Sequence, residues 1–405
     1  MGKLAKVSLD SKILILLIPL FYLLNFLTNW ELLNVSHLRG GIPFGDLQQQ
    51  LQAAACWKHI GVGVYVNSKS NAECFFQYGH PLLQFFNFFH VKSTHTLWVG
   101  RLLAGCVVSA LTLQAFRFSK STPPKTTPWL ILLACSPGVW LLLERGNVDE
   151  IIFLLVLAGI YLLSRGQSIF AFLVFFITAV FKFYTLPLLI LPLIMSKQIW
   201  KKALFLFGIL LSILTCWMDL KRVVGIPTTW FISSGSEWIG LWWNLAIKHL
   251  NVTHPYLSIK SAKFVGYMFF AALLFFVSKV KFHPEESQLQ NEDKSLDLAN
   301  INFVAMFTVF LSCYLTGMSY DYRLIFLVSA LLSLNRPKAI KQPIAFVCIS
   351  LAALYGTCFL LIPPTGLLSL AIQFVGNLNQ AILAAVLLPI FLRKSRTLIY
   401  SNLQK

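Results

Sequence analysis

Charged residues are scarce in this chain of 405 amino acids, and acidic ones are the scarcest. Charged side chains make up 12% of the sequence and hydrophobic ones 57%, with 15 acids against 33 Lys and Arg. A soluble domain carries about a quarter charged residues, because it must coat its surface with polar groups. The composition therefore excludes an ordinary soluble enzyme of this length and indicates lipid as the solvent of the long apolar runs.

Several motif classes are also missing. The eight cysteines form no C-x-x-C pair and the eight histidines no H-E-x-x-H spacing, so no zinc site is expected. No glycine-rich phosphate loop is present, and no soluble basic module accompanies the net charge of +18, so neither a nucleotide pocket nor nucleic-acid binding is predicted. No cofactor is indicated. A disulfide between Cys56 and Cys74 is compatible with an oxidising compartment.

The apolar runs are continuous, which predicts membrane-embedded α-helices rather than alternating barrel strands. The predicted fold class is all-α, a polytopic integral membrane protein with about twelve segments. They are 12–29, 97–116, 129–143, 151–164, 169–183, 184–195, 203–217, 264–280, 298–317, 324–334, 343–362 and 380–392. Several are shorter than the roughly twenty residues that cross a bilayer, so tilted or broken helices are expected.

The loops between these segments divide by charge. With an even number of segments both termini lie on one side, whose loops hold about twenty of the basic residues, as the positive-inside rule requires for the cytoplasm. Two large loops, 30–96 with amphipathic helices and 218–260, then face outward, and 281–297 is a flexible cytoplasmic loop with five acids. We predict one transmembrane domain over 1–405, with cytoplasmic termini, in a plasma or inner membrane.

Asp46 stands at the start of the first outer loop, after the glycine-rich stretch 40–45. Its position alone leaves two interpretations open. It is either the N-cap of the helix that follows or a general base that deprotonates an acceptor hydroxyl.

A second polar cluster, Glu-Arg-Gly-Asn-Val-Asp-Glu, occupies 144–150 between two apolar runs. A plain helical hairpin needs only a glycine and an asparagine, whereas this turn holds three acids and an arginine as well. Either Arg145 pairs with Glu144 or Asp149 for structural reasons, or the group binds sugar hydroxyls and positions phosphate.

Two further charged positions lie at predicted outer helix ends. Lys182 either snorkels to the headgroups or, as we prefer, is the counter-charge of a phosphate. Asp321 and Arg323, in Met318-Ser-Tyr-Asp-Tyr-Arg323, can form an ion pair with each other.

Three stretches of the first half follow one another in an order that is typical of one enzyme family. They are Gly45-Asp46 with Ala53-Ala54 and Gly63-Val-Tyr65, then Tyr78-Gly-His-Pro-Leu82, then 144–149 with Lys182-Phe-Tyr-Thr-Leu-Pro187 beyond it. They resemble the early Asp, the Tyr-x-x-Pro-Leu stretch, the Gly-Asn-x-Asp loop and the downstream Lys and Pro of glycosyltransferase family 87. That family belongs to the GT-C superfamily of membrane glycosyltransferases and depends on polyprenyl-phosphate-mannose.

The resemblance implies transfer of a mannose-like hexose from a polyprenyl-phosphate donor to a hydroxyl of a lipid or glycan acceptor on the extracytoplasmic face. Transfer inverts the anomeric carbon, Asp46 is the general base, and a divalent metal is compatible but not required. The predicted partners are the donor, the acceptor and membrane lipids. The predicted substrate-binding residues are Glu144, Arg145, Asn147, Asp149, Lys182, Tyr184, His80, Tyr320, Asp321 and Arg323.

A transporter or a lipid or oligosaccharide flippase is the alternative function. Charges near the bilayer midplane and discontinuous helices would favour it. Most acids lie at predicted outer helix ends and both large loops face one side, so the sequence favours chemistry at one face. A structural or assembly protein without a substrate is the third possibility.

Overall fold

The computed structural model describes residues 13–28, 43–65, 74, 76, 78–119, 127–223, 259–279, 298–315, 323–334, 343–355 and 367–403. Across these ranges the chain is helical and has no β-strand. The α-helices are α1 Leu17–Leu27, α2 Gly45–Ile60, α3 His80–Phe88, α4 Thr96–Ser119, α5 Thr127–Ala134, α6 Pro137–Arg145, α7 Asp149–Ser164, α8 Ser168–Phe181, α9 Ile190–Met195, α10 Ile199–Val223, α11 Ile259–Lys279, α12 Leu298–Leu315, α13 Leu324–Ser333, α14 Pro343–Tyr355 and α15 Leu367–Leu403. Short 3₁₀ helices cover Gly61–Tyr65, Ser93–His95 and Phe183–Leu189.

Five described helical stretches are long and apolar enough to cross a bilayer. They are Ser93–Ser119, Thr127–Arg145, Ile199–Asp219, Leu298–Leu315 and Phe374–Ile399, and each overlaps a predicted segment. Shorter apolar helices overlap further predicted segments at Ile13–Leu27, Ser168–Phe181, Phe183–Met195, Phe264–Phe276, Leu324–Ser333 and Phe346–Tyr355. An all-α, multi-pass membrane protein is thus confirmed in outline, while the predicted count of about twelve spans stays a prediction.

The helix α10 shows why these helices require lipid. Phe207, Leu210 and Leu214 lie on one side of it and are each at least 60% exposed. This spacing places the three side chains on one helical face, and soluble proteins rarely expose an apolar surface of that extent. A bilayer removes the exposed apolar face from water, and the helix satisfies its own backbone hydrogen bonds there.

The chain divides into two compact units. The first comprises Met1–Thr28, Leu111–Leu141 and Phe231–Ser401. Within it α12 packs on α13, and α5 contacts α1, α13 and α14. Ser329 Oγ donates to Gln114 Oε1 at 3.0 Å, and Asn302 Nδ2 donates to the backbone oxygen of Ser329 at 3.1 Å. These buried side chains join separate helices by hydrogen bonds, as is common in membrane bundles.

The second unit comprises Asn29–Ala110, Leu142–Trp230 and Asn402–Lys405. The hairpin of α7 and α8 packs against α10, and α2 packs against α3, which also contacts α8. The predicted first outer loop therefore contains the packed helices α2 and α3. Cys56 of α2 is disulfide-bonded to Cys74.

Some predicted features lie outside the described residues, among them most of the second outer loop, the cytoplasmic loop 281–297, Tyr320 and Asp321. The helix α10, Ile199–Val223, extends beyond the seventh predicted segment, 203–217, at both ends.

Candidate functional site

The polar turn between α6 and α7 lies at the centre of the site. Gly146 has a φ of +61°, a conformation that glycine adopts without steric cost. The turn directs the side chain of Asn147 back onto the next helix, where its Oδ1 accepts the backbone N–H of Asp149 at 3.0 Å. This hydrogen bond satisfies one of the open donors at the start of α7. The turn thus ends one helix, starts the next and presents polar side chains between them.

Asp46 lies near the start of α2, and its carboxylate contacts the polar turn between α6 and α7. Its Oδ1 accepts Arg145 Nε at 2.8 Å and also Arg145 Nη2, and its Oδ2 accepts Asn147 Nδ2 at 2.9 Å. The N-cap of α2 is Phe44, without a side-chain cap hydrogen bond. Asp46 is therefore not an N-cap, and Arg145 has a partner about a hundred residues away that the local sequence did not suggest.

Lys182 lies in extended backbone between α8 and the following 3₁₀ helix. Its Nζ donates to Asp149 Oδ1 at 2.7 Å and to Asn147 Oδ1 at 3.1 Å, and lies 4.0 Å from the centre of the Tyr78 ring. An ammonium group has three N–H donors. One carboxylate oxygen, one amide oxygen and one aromatic ring contact the ammonium group of Lys182. Lys182 is only 2% exposed, so the snorkelling alternative is wrong.

Asp149 balances the charge of Lys182 in the interior. Its side chain is fully buried, and its Oδ1 also accepts the hydroxyl of Tyr184. A buried charge is tolerated when it is paired and hydrogen-bonded. Lys182, Asp149 and Tyr184 are all buried. Their mutual contacts explain why polar side chains are tolerated there.

Asn147 links the two ion pairs, because its nitrogen donates to Asp46 and its oxygen accepts from Lys182. The pairs differ in exposure. The side chains of Arg145 and Asp46 are 30% and 15% exposed, whereas those of Lys182 and Asp149 are at most 1% exposed. The Arg145–Asp46 pair is therefore accessible, and the Lys182–Asp149 pair lies beneath it as support.

Phe44 holds Asp46 in place from the other side. Its φ of +61° is unusual for a residue with a side chain, and its N–H donates to the backbone oxygen of Glu144 at 2.7 Å. Its buried ring lies against Gly100 and Gly146, where an added Cβ would stand 2.5 Å and 2.9 Å from it. Neither Phe44 nor Gly100 is among the predicted site residues, although a glycine inside an apolar helix is a signal of close packing.

The other predicted substrate residues are placed as follows. Glu144 is buried, while Arg323 belongs to the first unit, at the start of α13. His80 begins α3 and is hydrogen-bonded to Asp219, which the sequence analysis did not assign to the site. Within the described residues no group of three His, Cys, Asp or Glu side chains has a metal-binding arrangement.

No protein-family model, curated protein or solved structure matches the chain. The resemblance to glycosyltransferase family 87 therefore stays a prediction that depends on the motifs.

Proposed function

We propose that the chain is a membrane glycosyltransferase that moves a hexose from a polyprenyl-phosphate donor to a hydroxyl of a lipid or glycan acceptor on the extracytoplasmic face. The observation that supports this proposal is the convergence of Asp46, Arg145, Asn147, Asp149 and Lys182 in one hydrogen-bonded network. Three separate stretches of chain contribute to it. A structural role alone does not require a partly exposed carboxylate and guanidinium at the end of such a network.

Asp46 is the general base in this proposal. A carboxylate offers about four acceptor positions, and Arg145 and Asn147 supply three donors to it. The remaining position accepts the proton of the acceptor hydroxyl. The hydroxyl oxygen then bonds to the anomeric carbon as the bond from that carbon to the phosphate oxygen breaks. The phosphate leaves with the bonding electrons, and attack from the opposite face inverts the anomeric carbon.

Arg145 is the better-placed contact for the departing phosphate. It is a partly exposed cation that contacts Asp46, and a guanidinium matches the geometry of phosphate oxygens. A phosphate contact from Lys182 was the preferred prediction, but its depth and its contacts with Asp149 and Asn147 favour a positioning role. In the proposed mechanism, Lys182 orients Asn147, which in turn orients Asp46.

One observation favours the alternative of a transporter. Lys182 occupies a break between α8 and a 3₁₀ helix that contains Pro187, and ionisable residues at discontinuous helices are typical of transport sites. Against it, Lys182 and Asp149 form a buried ion pair, and of the two ion pairs in this network the Arg145–Asp46 pair is the more accessible.

The test uses the full chain in liposomes with a synthetic polyprenyl-phosphate-mannose donor and an acceptor lipid extract. The expected result is a mannosylated product detected by mass spectrometry, with release of polyprenyl phosphate. Accumulation of donor or sugar across the vesicle membrane without any product would instead support the transporter.

A further inference from the structure

His80 and Asp219 form a second polar pair in the unit that contains Asp46. His80 Nδ1 lies 3.0 Å and 2.9 Å from the two carboxylate oxygens of Asp219, and the backbone N–H of His80 donates to Asp219 Oδ2 at 3.0 Å. The Asp219 side chain is 1% exposed, while that of His80 is 25% exposed. The pair thus has a buried carboxylate and a partly exposed imidazole.

Two contacts fix the orientation of the imidazole ring. Asp219 holds its Nδ1 edge, and the indole of Trp57 stacks on it with 6.1 Å between ring centres and 19° between planes. A neutral imidazole that donates its Nδ1 proton to a carboxylate keeps a lone pair on Nε2. The second nitrogen, Nε2, is held in a fixed direction and is a hydrogen-bond acceptor in that tautomer.

His80 is hydrogen-bonded to Asp219, whereas Asp46 is hydrogen-bonded to Arg145 and Asn147. The two groups are neighbours, because Tyr78, which contacts Lys182, lies two positions before His80. Trp57 lies eleven residues beyond Asp46 on α2, which corresponds to about three helical turns, or roughly 16 Å of helix axis. One helix therefore carries the proposed base near its start and supports the imidazole near its end. An elongated acceptor that lies along α2 would reach both positions.

We infer that His80 is a recognition residue for the acceptor, in which the ring nitrogen opposite Asp219 binds a carbohydrate hydroxyl at a distance from the reacting centre. This inference rests on the proposed function and names a subsite within it. A hydroxyl suits the position better than a phosphate, because the buried carboxylate of Asp219 would repel a second anion. A hydroxyl donates to the lone pair of Nε2 and brings no charge.

The variant His80→Asn tests this role with little structural change. The asparagine amide nitrogen takes the place of Nδ1 and retains a donor for Asp219, whereas Nε2 is lost. The matched control is His90→Asn, because His90 is exposed and has a φ of +51°, which asparagine tolerates. We expect His80→Asn to raise the acceptor KM about three- to tenfold, the range for one lost hydrogen bond, with the donor KM and kcat within about twofold. An unchanged acceptor KM, or a loss confined to kcat, in the folded variant would overturn the inference.

A direct binding measurement separates this inference from the proposed function. Saturation-transfer NMR with methyl α-mannoside reports binding to the full chain without any transfer reaction. Transfer that depends on Asp46 together with a normal acceptor KM in His80→Asn would refute the subsite and retain the enzyme. Mannoside binding that is lost in His80→Asn, without transfer by the native chain, would refute the enzyme and retain the hydroxyl site. If the native chain shows no transfer and no mannoside binding that depends on His80, both the subsite and the enzyme are refuted.

Discussion

The amide nitrogen of Asn147 donates to the carboxylate of Asp46 at 2.9 Å, although 101 positions separate the two residues in the sequence. The same amide accepts from Lys182 through its oxygen. One side chain therefore connects the accessible ion pair, which we assign to chemistry, with the buried ion pair beneath it. Variants of the two ion pairs should therefore differ in their effects on catalysis and on stability.

Asp46→Asn should abolish sugar transfer and leave the fold intact. Asparagine retains an oxygen that accepts from Arg145 but cannot take a proton from an acceptor hydroxyl. General-base catalysis is worth about 10²–10⁴-fold, so kcat should fall by at least about a hundredfold in the liposome assay. Asp293→Asn removes an acid from the predicted cytoplasmic loop and is the matched control. Transfer at the native rate by a correctly folded Asp46→Asn protein would remove Asp46 from the mechanism.

Lys182→Met should reduce stability more than donor binding. It leaves Asp149 buried without its cation, and breaking a buried pair costs about 3–5 kcal/mol. This loss is measured by heating the protein in detergent and monitoring the folded fraction by size-exclusion chromatography. The double variant Lys182→Met/Asp149→Asn removes both charges and should recover part of the stability.

A different outcome would restore the direct phosphate role. If Lys182→Met unfolds at the native temperature but its donor KM rises tenfold or more, then Lys182 contacts the donor and the positioning role assigned here is wrong.

Asn147→Ala should lower kcat while the thermal midpoint falls only moderately. The change removes the donor to Asp46, the acceptor of Lys182 and the acceptor for the N–H of Asp149. Each lost hydrogen bond costs about 0.5–1.5 kcal/mol. The outcome against this prediction is native kcat with reduced stability, because Asn147 would then only support the turn.

Gly100→Ala should disturb the site from a distance. An added Cβ would stand 2.5 Å from the buried ring of Phe44, two residues before Asp46. Overpacking of this kind costs about 1–3 kcal/mol, so both the thermal midpoint and kcat should fall. Gly105→Ala lies on the same helix with nothing within 4 Å of the new Cβ. Alanine favours a helix over glycine, so this control should be neutral or slightly stabilising. Equal effects of the two changes would exclude the contact with Phe44 as the cause.

The sequence predicted the helical membrane fold and much of the candidate site, because both depend on local patterns. An apolar run predicts a helix whichever element the helix packs against. A charged residue within or beside such a run is unusual, so each one can be recognised by itself. This is why Asp46, Arg145, Asn147, Asp149 and Lys182 can be recognised in the sequence without knowledge of their contacts.

Partners and depth could not be predicted in the same way. Asp219 is 139 positions from His80, and Tyr78 lies over Lys182 only because α3 packs against α8. The sequence shows that residue 182 carries a charge, but its burial arises from packing. The burial favours a positioning role for Lys182 over the predicted phosphate contact. The left-handed backbone of Phe44 had no local signal at all, because such a conformation is rare for phenylalanine.

The position of the Lys182–Asp149 pair bears on how the chain enters the bilayer. Asp149 lies at the first residue of α7 and Lys182 directly after the last residue of α8. Each of these apolar helices, inserted alone, would carry an uncompensated charge at that end. Here both charges belong to the hairpin formed by α7 and α8, 33 positions apart. If the hairpin enters as one body, the ammonium and the carboxylate neutralise each other during insertion. Early pairing of this kind would allow a strongly polar centre to be built into a membrane protein without trapping a half-inserted chain.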